Sequence, residues 1–249
     1  MPTAARKTEP VPYIMKKKSL LILSCVLLLL AGAGGAGLYF FMPQQAPVAP
    51  PSPAPDKDSL PALARQQIGV TVSYTPDYVD LEYPMGDVPI ESGVCTDVII
   101  RALRLKGLDL QELVHEDMKK NFRSYPGRKL WRQRTADPSI DHRRVPNLEL
   151  FFARIGWTVT EKPTDNPDDY KPGDLVTCYD AAHGRPHIMI VSDRKHAETG
   201  VPKVIHNSGK GTEENDDLFE FPITGHFRPV FDQPIQLPEP EKSQQKKKK

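Results

Sequence analysis

The sequence predicts an α+β domain in which helices pack on one face of an antiparallel sheet. Apolar residues recur at helical spacing over residues 95–155, whereas short alternating segments bounded by turn residues follow from residue 157 onward. Helices that precede a run of strands are typical of α+β domains. The globular region, residues 63–232, is long enough for one hydrophobic core, so we expect a single domain.

Three helices are expected in the first half of this domain. The first runs from Cys95 to Gly107, with apolar residues on one side and a glycine suited to the position after a helix end. The second runs from Asp109 to about Phe122. The third begins at Asn147, a plausible N-cap after a proline, and stops at Gly156.

The second half of the domain is predicted to be strands. Alternation of apolar and polar residues, together with turn signals such as Lys171-Pro172-Gly173-Asp174, places their limits. The expected strands are Trp157–Thr160, Leu175–Tyr179, His187–Ser192, Val201–Asn207, Phe219–Phe221 and Gly225–Val230.

The N-terminal region predicts a membrane anchor. Residues 1–18 are polar, basic and expected to be cytoplasmic, and residues 19–42 carry no charge and are long enough to cross a bilayer as a helix. A cleaved signal peptide is the alternative, although a small-residue cleavage site is missing. Lipoprotein processing at Cys25 matches poorly. We therefore expect a single-pass inner-membrane protein whose domain lies in the periplasm or extracytoplasmic space.

Two further segments flank the domain. Residues 43–62 are rich in proline and alanine and are expected to be extended, as a rigid spacer or as a merely solubilising linker. Residues 233–249 are polar, end in four lysines, and are expected to be a disordered tail.

Charge and motifs exclude several function classes. A net charge of +1 gives no electrostatic reason to bind nucleic acid, and no glycine pattern for binding a nucleotide is present. Cys95, Cys178, His187 and His206 lack the usual spacings of zinc ligands, so we expect neither metal nor cofactor. A disulfide between the two cysteines is a minor alternative in an exported domain.

Cys95 and His187 are the candidate nucleophile and base. A thiol at the start of a helix meets unpaired N–H groups and a partial positive charge, which favour the thiolate. An imidazole beside it lowers the thiol pKa further and can protonate the leaving group. His187 heads an apolar strand, and His183 is a nearby competitor for its role.

The third catalytic role falls to one of two neighbouring residues. His206 or Asn207 would orient the imidazole, and strand alternation lets only one of them face the site. We favour His206 and keep Asn207 as a substrate-binding candidate.

Three charged residues are candidates for substrate binding. Arg143 and Arg144 are suited to gripping a peptide carboxylate, although ordinary ion pairs explain them equally well. Asp97 is suited to binding an amine, although capping of the helix is the more economical explanation.

The domain is identified as a member of the DUF1287 family, and its site resembles that of the NlpC/P60 group of papain-like cysteine peptidases. The NlpC/P60 pattern is carried by Cys95, the turn Pro172–Leu175, His187 and His206; Val94 departs from it, since many members carry Asp there. The segments that match DUF1287 are 93–98, 115–118, 141–148, 206–211 and 224–228.

This resemblance implies a papain-like fold and cleavage of amide bonds in cell-wall peptides, often beside γ-D-glutamyl or diamino acid residues. The expected function is therefore a membrane-anchored cysteine hydrolase acting on peptidoglycan stems. A non-catalytic peptidoglycan-binding module and an acyltransferase or amidase with another substrate remain alternatives.

Overall fold

The computed structural model describes residues 56–181 and 184–239. The predicted anchor, the spacer up to residue 55, Cys25, His183 and the tail from residue 240 lie outside these residues. Within the described part of the chain, no helix has the length and apolar character needed to cross a membrane.

Five α-helices and eight strands are present in the described residues. The helices are α1 (Leu60–Arg65), α2 (Cys95–Arg104), α3 (Leu110–Asn121), α4 (Gly127–Leu130) and α5 (Val145–Arg154). The strands are β1 (Ser73–Tyr74), β2 (Ser92–Gly93), β3 (Thr158–Thr160), β4 (Leu175–Asp180), β5 (Arg185–Lys195), β6 (Pro202–Asn207), β7 (Thr212–Asn215) and β8 (Ile223–Phe227).

The main sheet has six strands in the order β3-β8-β4-β5-β6-β7, and each neighbouring pair is antiparallel. The predicted α+β class with an antiparallel sheet is therefore confirmed. Helices α1 and α2 lie against β5 and β6, and α5 lies against β5 and β8. Strands β1 and β2 form a separate parallel pair just before α2.

Alternation along β5 divides the apolar side chains between two cores. Ile188 and Ile190 face the helices, where they join Phe151 and Phe152 of α5. Met189 faces the other way, into a smaller core that contains Tyr170 and Leu218. In the described residues, connecting segments and the 3-10 helix Asp217–Phe219, not α-helices, cover this second face of the sheet.

Several predicted elements differ from the structure. The segment Phe219–Phe221 is not a strand: residues Asp217–Phe219 form a 3-10 helix, and Phe219 and Phe221 pack on the smaller core. The third helix begins at Val145, two residues earlier than expected. Strand β7 was not predicted because its sequence, Thr-Glu-Glu-Asn, shows no apolar alternation, and only its pairing with β6 makes it a strand.

Candidate active site

Helix α2 presents Cys95 at its first residue, as predicted. Val94 is extended at the N-cap, and its backbone N–H donates to the Asp97 carboxylate at 2.6 Å. The Cys95 side chain is only 3% exposed, yet it lines a cavity of about 350 Å³. The thiol thus lies at the inner end of a recess that opens to solvent.

The thiol is less acidic than the sequence suggested. Burial raises the pKa of Cys95 to about 11, although the backbone N–H groups of Ile188 and Thr96 favour the thiolate. The expectation of a lowered pKa from the helix N-terminus is therefore wrong for the resting structure, because loss of hydration outweighs those N–H groups. At neutral pH the thiol is protonated.

His187 and His206 form a direct contact between neighbouring strands. The Nε2 atom of His187 lies 2.7 Å from the Nδ1 atom of His206, and the two rings meet edge to face. Both side chains project from the sheet face opposite the helices, because each lies an even number of residues from a member of the smaller core, Met189 or Val204. Of the two candidates for the third role, His206 is the one that contacts His187.

Two further residues fix which nitrogen of each ring carries hydrogen. Asn215 donates from Nδ2 to the carboxylate of Asp217 at 2.8 Å, so its Oδ1 faces His206, 3.0 Å from Nε2. The Nε2 atom of His206 therefore carries the hydrogen and its Nδ1 accepts. The Nε2 atom of His187 must then donate, and its Nδ1 keeps the lone pair.

Both imidazoles are neutral at neutral pH. Burial, reinforced by His206 and Arg185, lowers the pKa of His187 to about 3. Burial also lowers the pKa of His206, against the opposing influence of Asn215 and Asp217. The resting site therefore pairs a neutral thiol with a neutral imidazole.

The thiol and the imidazoles lie in adjoining cavities. His187 and His206 line a second cavity of about 440 Å³, and Tyr74 and Pro186 line both. Within the described residues, no hydrogen bond joins the Cys95 thiol to the His187 ring. Their link in the resting structure is the backbone of β5, where the residue after His187 supplies an N–H that favours the thiolate.

The Asn207 side chain faces the helices, and its hydrogen bonds are to backbone groups and not to the imidazole of His187. Its Nδ2 donates to the carbonyl oxygens of Ser73 at 3.0 Å and Gly93 at 3.1 Å, and its Oδ1 accepts from the N–H groups of Gly209 and Gly211. All of its polar atoms are thus used inside the protein. Asn207 fastens the parallel β1–β2 pair, and with it Tyr74, to the end of β6.

Asp97 and Arg143 pair with each other. The two side chains are 3% and 2% exposed, and the guanidinium binds the carboxylate through Nε at 2.9 Å and Nη2 at 3.0 Å. Asp97 also caps α2 through Val94. These contacts correspond to the capping and ion-pair explanations that the sequence left open.

Arg144 lies in the cavity of Cys95. Its guanidinium carbon is 4.1 Å from the ring centroid of Trp131, and Nη1 donates to Gln133 at 3.0 Å. Its nearest carboxylate, that of Asp141, is 4.0 Å away. Of the predicted binding residues, Arg144 is therefore the one that faces the cleft while its ion pair with a carboxylate of the protein is long.

Sequence reasoning missed Tyr74, Trp131, Asn215 and Asp217. Asn215 and Asp217 lie in a polar run without a catalytic pattern, and only the pairing of β7 with β6 brings them to His206. Trp131 lies at the end of the four-residue helix α4, which has no periodic signal, and it is 41% exposed. A tryptophan within the basic segment 128–134 is the one sequence signal that could have indicated it.

Among the described residues, no group of three or more His, Cys, Asp or Glu side chains is placed to hold a metal ion. Both Cys95 and Cys178 are free thiols, and they belong to the two different cores on opposite faces of the sheet. The disulfide alternative is therefore not what the structure adopts.

Comparisons with known proteins place this chain among relatives without an assigned activity. A family model described as "Domain of unknown function (DUF1287)" matches residues 62–229. The "Uncharacterized protein YijF" of Escherichia coli (strain K12) is 54% identical over 166 residues, which are 66% of this chain and 78% of that protein. No solved structure gives a significant match.

Proposed function

The chain belongs to the DUF1287 family, and from this premise we propose that it is a cysteine hydrolase that cleaves an amide bond in cell-wall peptides. The observation that carries the proposal is the hydrogen-bonded series from Asp217 through Asn215 and His206 to His187, which leaves a lone pair on Nδ1 of His187. A buried series that fixes tautomers is what a general base requires.

The nucleophile would be activated during attack, not before it. Because thiol and imidazole are both neutral at rest, Nδ1 of His187 takes the thiol proton as the sulfur bonds to the carbonyl carbon. The backbone N–H groups of Cys95 and Thr96, at the start of α2, are suited to holding the oxyanion. His187 then gives its proton to the departing amine, and water hydrolyses the thioester with His187 again as base.

A bound substrate would bring the two halves of the site together. Tyr74 and Pro186 line both cavities, so a peptide that extends through both cavities reaches Cys95 as well as His187. Catalytic contacts that are loose in an unliganded enzyme commonly tighten once substrate is bound. Likeness to the NlpC/P60 pattern of Cys, His and His supports the same assignment.

Position in the cell is part of the proposal. The uncharged segment 19–42 would anchor the chain in the inner membrane, and residues 43–62 would hold the domain on the outer side, facing the wall. Cell fractionation and protease accessibility of a C-terminal tag test this. A tag that is soluble, or that is protected in spheroplasts, would contradict it.

The activity test uses the full chain in mild detergent with purified muropeptides. We expect new fragments from the wild type and none from Cys95→Ala. Cys25→Ala is the control, because it removes a thiol of the predicted anchor, outside the globular region 63–232. No fragments from the wild type, or equal cleavage by Cys95→Ala, would refute the proposal.

A non-catalytic wall-binding module is the second candidate. It is favoured by one observation, the burial that keeps the Cys95 thiol protonated. Sedimentation with purified sacculi whose muropeptide profile stays unchanged after long incubation would support this candidate over the hydrolase.

A further inference from the structure

Protein contacts engage only part of the Arg144 guanidinium. Its face rests on Trp131 and its Nη1 donates to Gln133. Among the residues that the structure describes, its Nε and Nη2 have no hydrogen-bond partner, although the side chain is only 20% exposed. A flat, partly buried edge with two free donors has the shape that binds a carboxylate in bidentate fashion.

In the part of the chain that the structure describes, no carboxylate fully neutralises Arg144. Asp141 is 4.0 Å from Nη1 and is itself used by the Gln133 amide and the Asp137 backbone N–H. Burial lowers the pKa of Arg144, and the two nearby aspartates oppose this only in part. The positive charge of the Arg144 guanidinium is therefore available to bind an anion from outside the protein.

The neighbouring Arg143 differs in this respect. Its Nε and Nη2 are both bound to Asp97, and its side chain is 2% exposed. Two consecutive arginines thus divide their roles, one supporting the start of α2 and the other facing the cleft.

The two cavities carry opposite charge. Among the described residues, the charged side chains that line the cavity of Cys95 are those of Arg143 and Arg144. The cavity of His187 is lined by the carboxylates of Asp180, Asp217 and Glu220 against the single cation of Arg185. A ligand that spans both is therefore oriented by charge, with its anionic part beside Cys95.

We propose that Arg144, stacked on Trp131, binds a carboxylate in the acyl part of the substrate, the part that becomes bonded to Cys95. That the bound carboxylate belongs to a substrate rests on the proposed function. The binding site itself is argued only from the contacts of Arg144. The peptide class it selects has a free carboxylate on the acyl side of the scissile amide and no negative charge on the amine side. An amide in place of that carboxylate accepts fewer and weaker hydrogen bonds from the guanidinium.

Binding is tested on the full chain carrying Cys95→Ala, so that no turnover is needed. The probes are L-alanyl-γ-D-glutamyl-L-lysinamide, whose only carboxylate is the glutamyl α-carboxylate, and the same peptide with that carboxylate replaced by a carboxamide. Fluorescence reports contact at Trp131, since the other tryptophan, Trp157, is buried. We expect the carboxylate peptide to bind about 10- to 100-fold more tightly, the range given by one charge-assisted pair.

Variants of the arginine complete the test. Arg144→Gln should remove the preference by weakening only the carboxylate peptide, and Arg144→Lys should keep part of it. Arg123→Gln, which removes an exposed charge that lines neither cavity, should leave the preference unchanged. Circular dichroism of each variant verifies folding.

Cleavage of the two peptides by the protein with Cys95 intact separates the two proposals. Arg144-dependent preference without any cleavage supports the subsite and counts against the hydrolase. Equal cleavage of both peptides, unchanged in Arg144→Gln, supports the hydrolase and overturns the subsite. Equal binding of both peptides, or binding of neither, also overturns the subsite.

Discussion

The Nε2 atom of His187 donates to the Nδ1 atom of His206 across a distance of 2.7 Å, and this bond decides which nitrogen of His187 is free. The two rings come from neighbouring antiparallel strands whose register pairs Ile190 with Ile205. The donor direction is set further along, by Asn215 on β7. The contact between these two strands thus fixes which ring nitrogen of His187, the candidate base, carries the hydrogen.

Replacing Asn215 by Ala should lower kcat about 10- to 100-fold, because His206 then loses the acceptor that fixes its tautomer. The measurements are muropeptide turnover and the 15N shifts of the His187 ring, which should indicate mixed tautomers. Asp216→Ala is the control, since Asp216 pairs with Lys203 away from the imidazoles. Unchanged kcat and ring shifts in Asn215→Ala would contradict the tautomer argument.

Alkylation of Cys95 by iodoacetamide should be slow at neutral pH and should rise toward a midpoint near pH 11, because burial raises the pKa of this thiol to about 11. Mass spectrometry assigns the modified site and separates it from Cys178, whose pKa burial raises to about 12. A rate at Cys95 that is already maximal below pH 8 would show that the thiolate is stabilised at rest.

Arg143→Ala should destabilise the domain by about 3–5 kcal/mol, because it leaves the buried Asp97 carboxylate without its counter-ion. Urea unfolding of the variant and the wild type measures the loss. The matched control is Lys119→Ala, which breaks an exposed pair with Glu116 and should cost at most about 0.5 kcal/mol. A loss below about 1 kcal/mol in Arg143→Ala would mean that water replaces the guanidinium.

Acid should destabilise the domain below about pH 6.5. Burial lowers the pKa of His142 and of His187 to about 3, so both stay neutral in the folded state, while the unfolded chain takes up protons near pH 6.5. Stability contributed by these neutral rings is complete above pH 6.5 and is lost as pH falls toward 3. Each histidine should contribute a slope of about 1.4 kcal/mol per pH unit in that window.

Urea unfolding at several pH values between 4 and 7 measures this slope. His142→Asn should flatten it, because Nδ1 of His142 is buried with no hydrogen-bond partner among the described residues and its protonation is not compensated. His196→Asn, in the turn after β5, serves as the comparison. Equal slopes in wild type and His142→Asn would assign the acid sensitivity to other groups.

Local sequence signals predicted the elements whose causes are local. Helix α2 begins at Cys95 because Val94 is extended at the N-cap and the Asp97 carboxylate accepts a hydrogen bond from the backbone N–H of Val94. Strand β4 follows the Pro-Gly-Asp turn as expected. In contrast, β7 and the 3-10 helix after it depend on contacts with β6 and with the smaller core, which no local pattern encodes.

The sequence by itself determined the class of the domain, the position of the thiol at a helix start and the strands that carry His187 and His206, because periodicity and turn chemistry act over a few residues. Only the tertiary structure decided the protonation of that thiol, the engagement of Asp97 by Arg143 and the free edge of Arg144. Those properties follow from burial and from partners distant along the chain, so they exist only once the sheet and the helices have packed together.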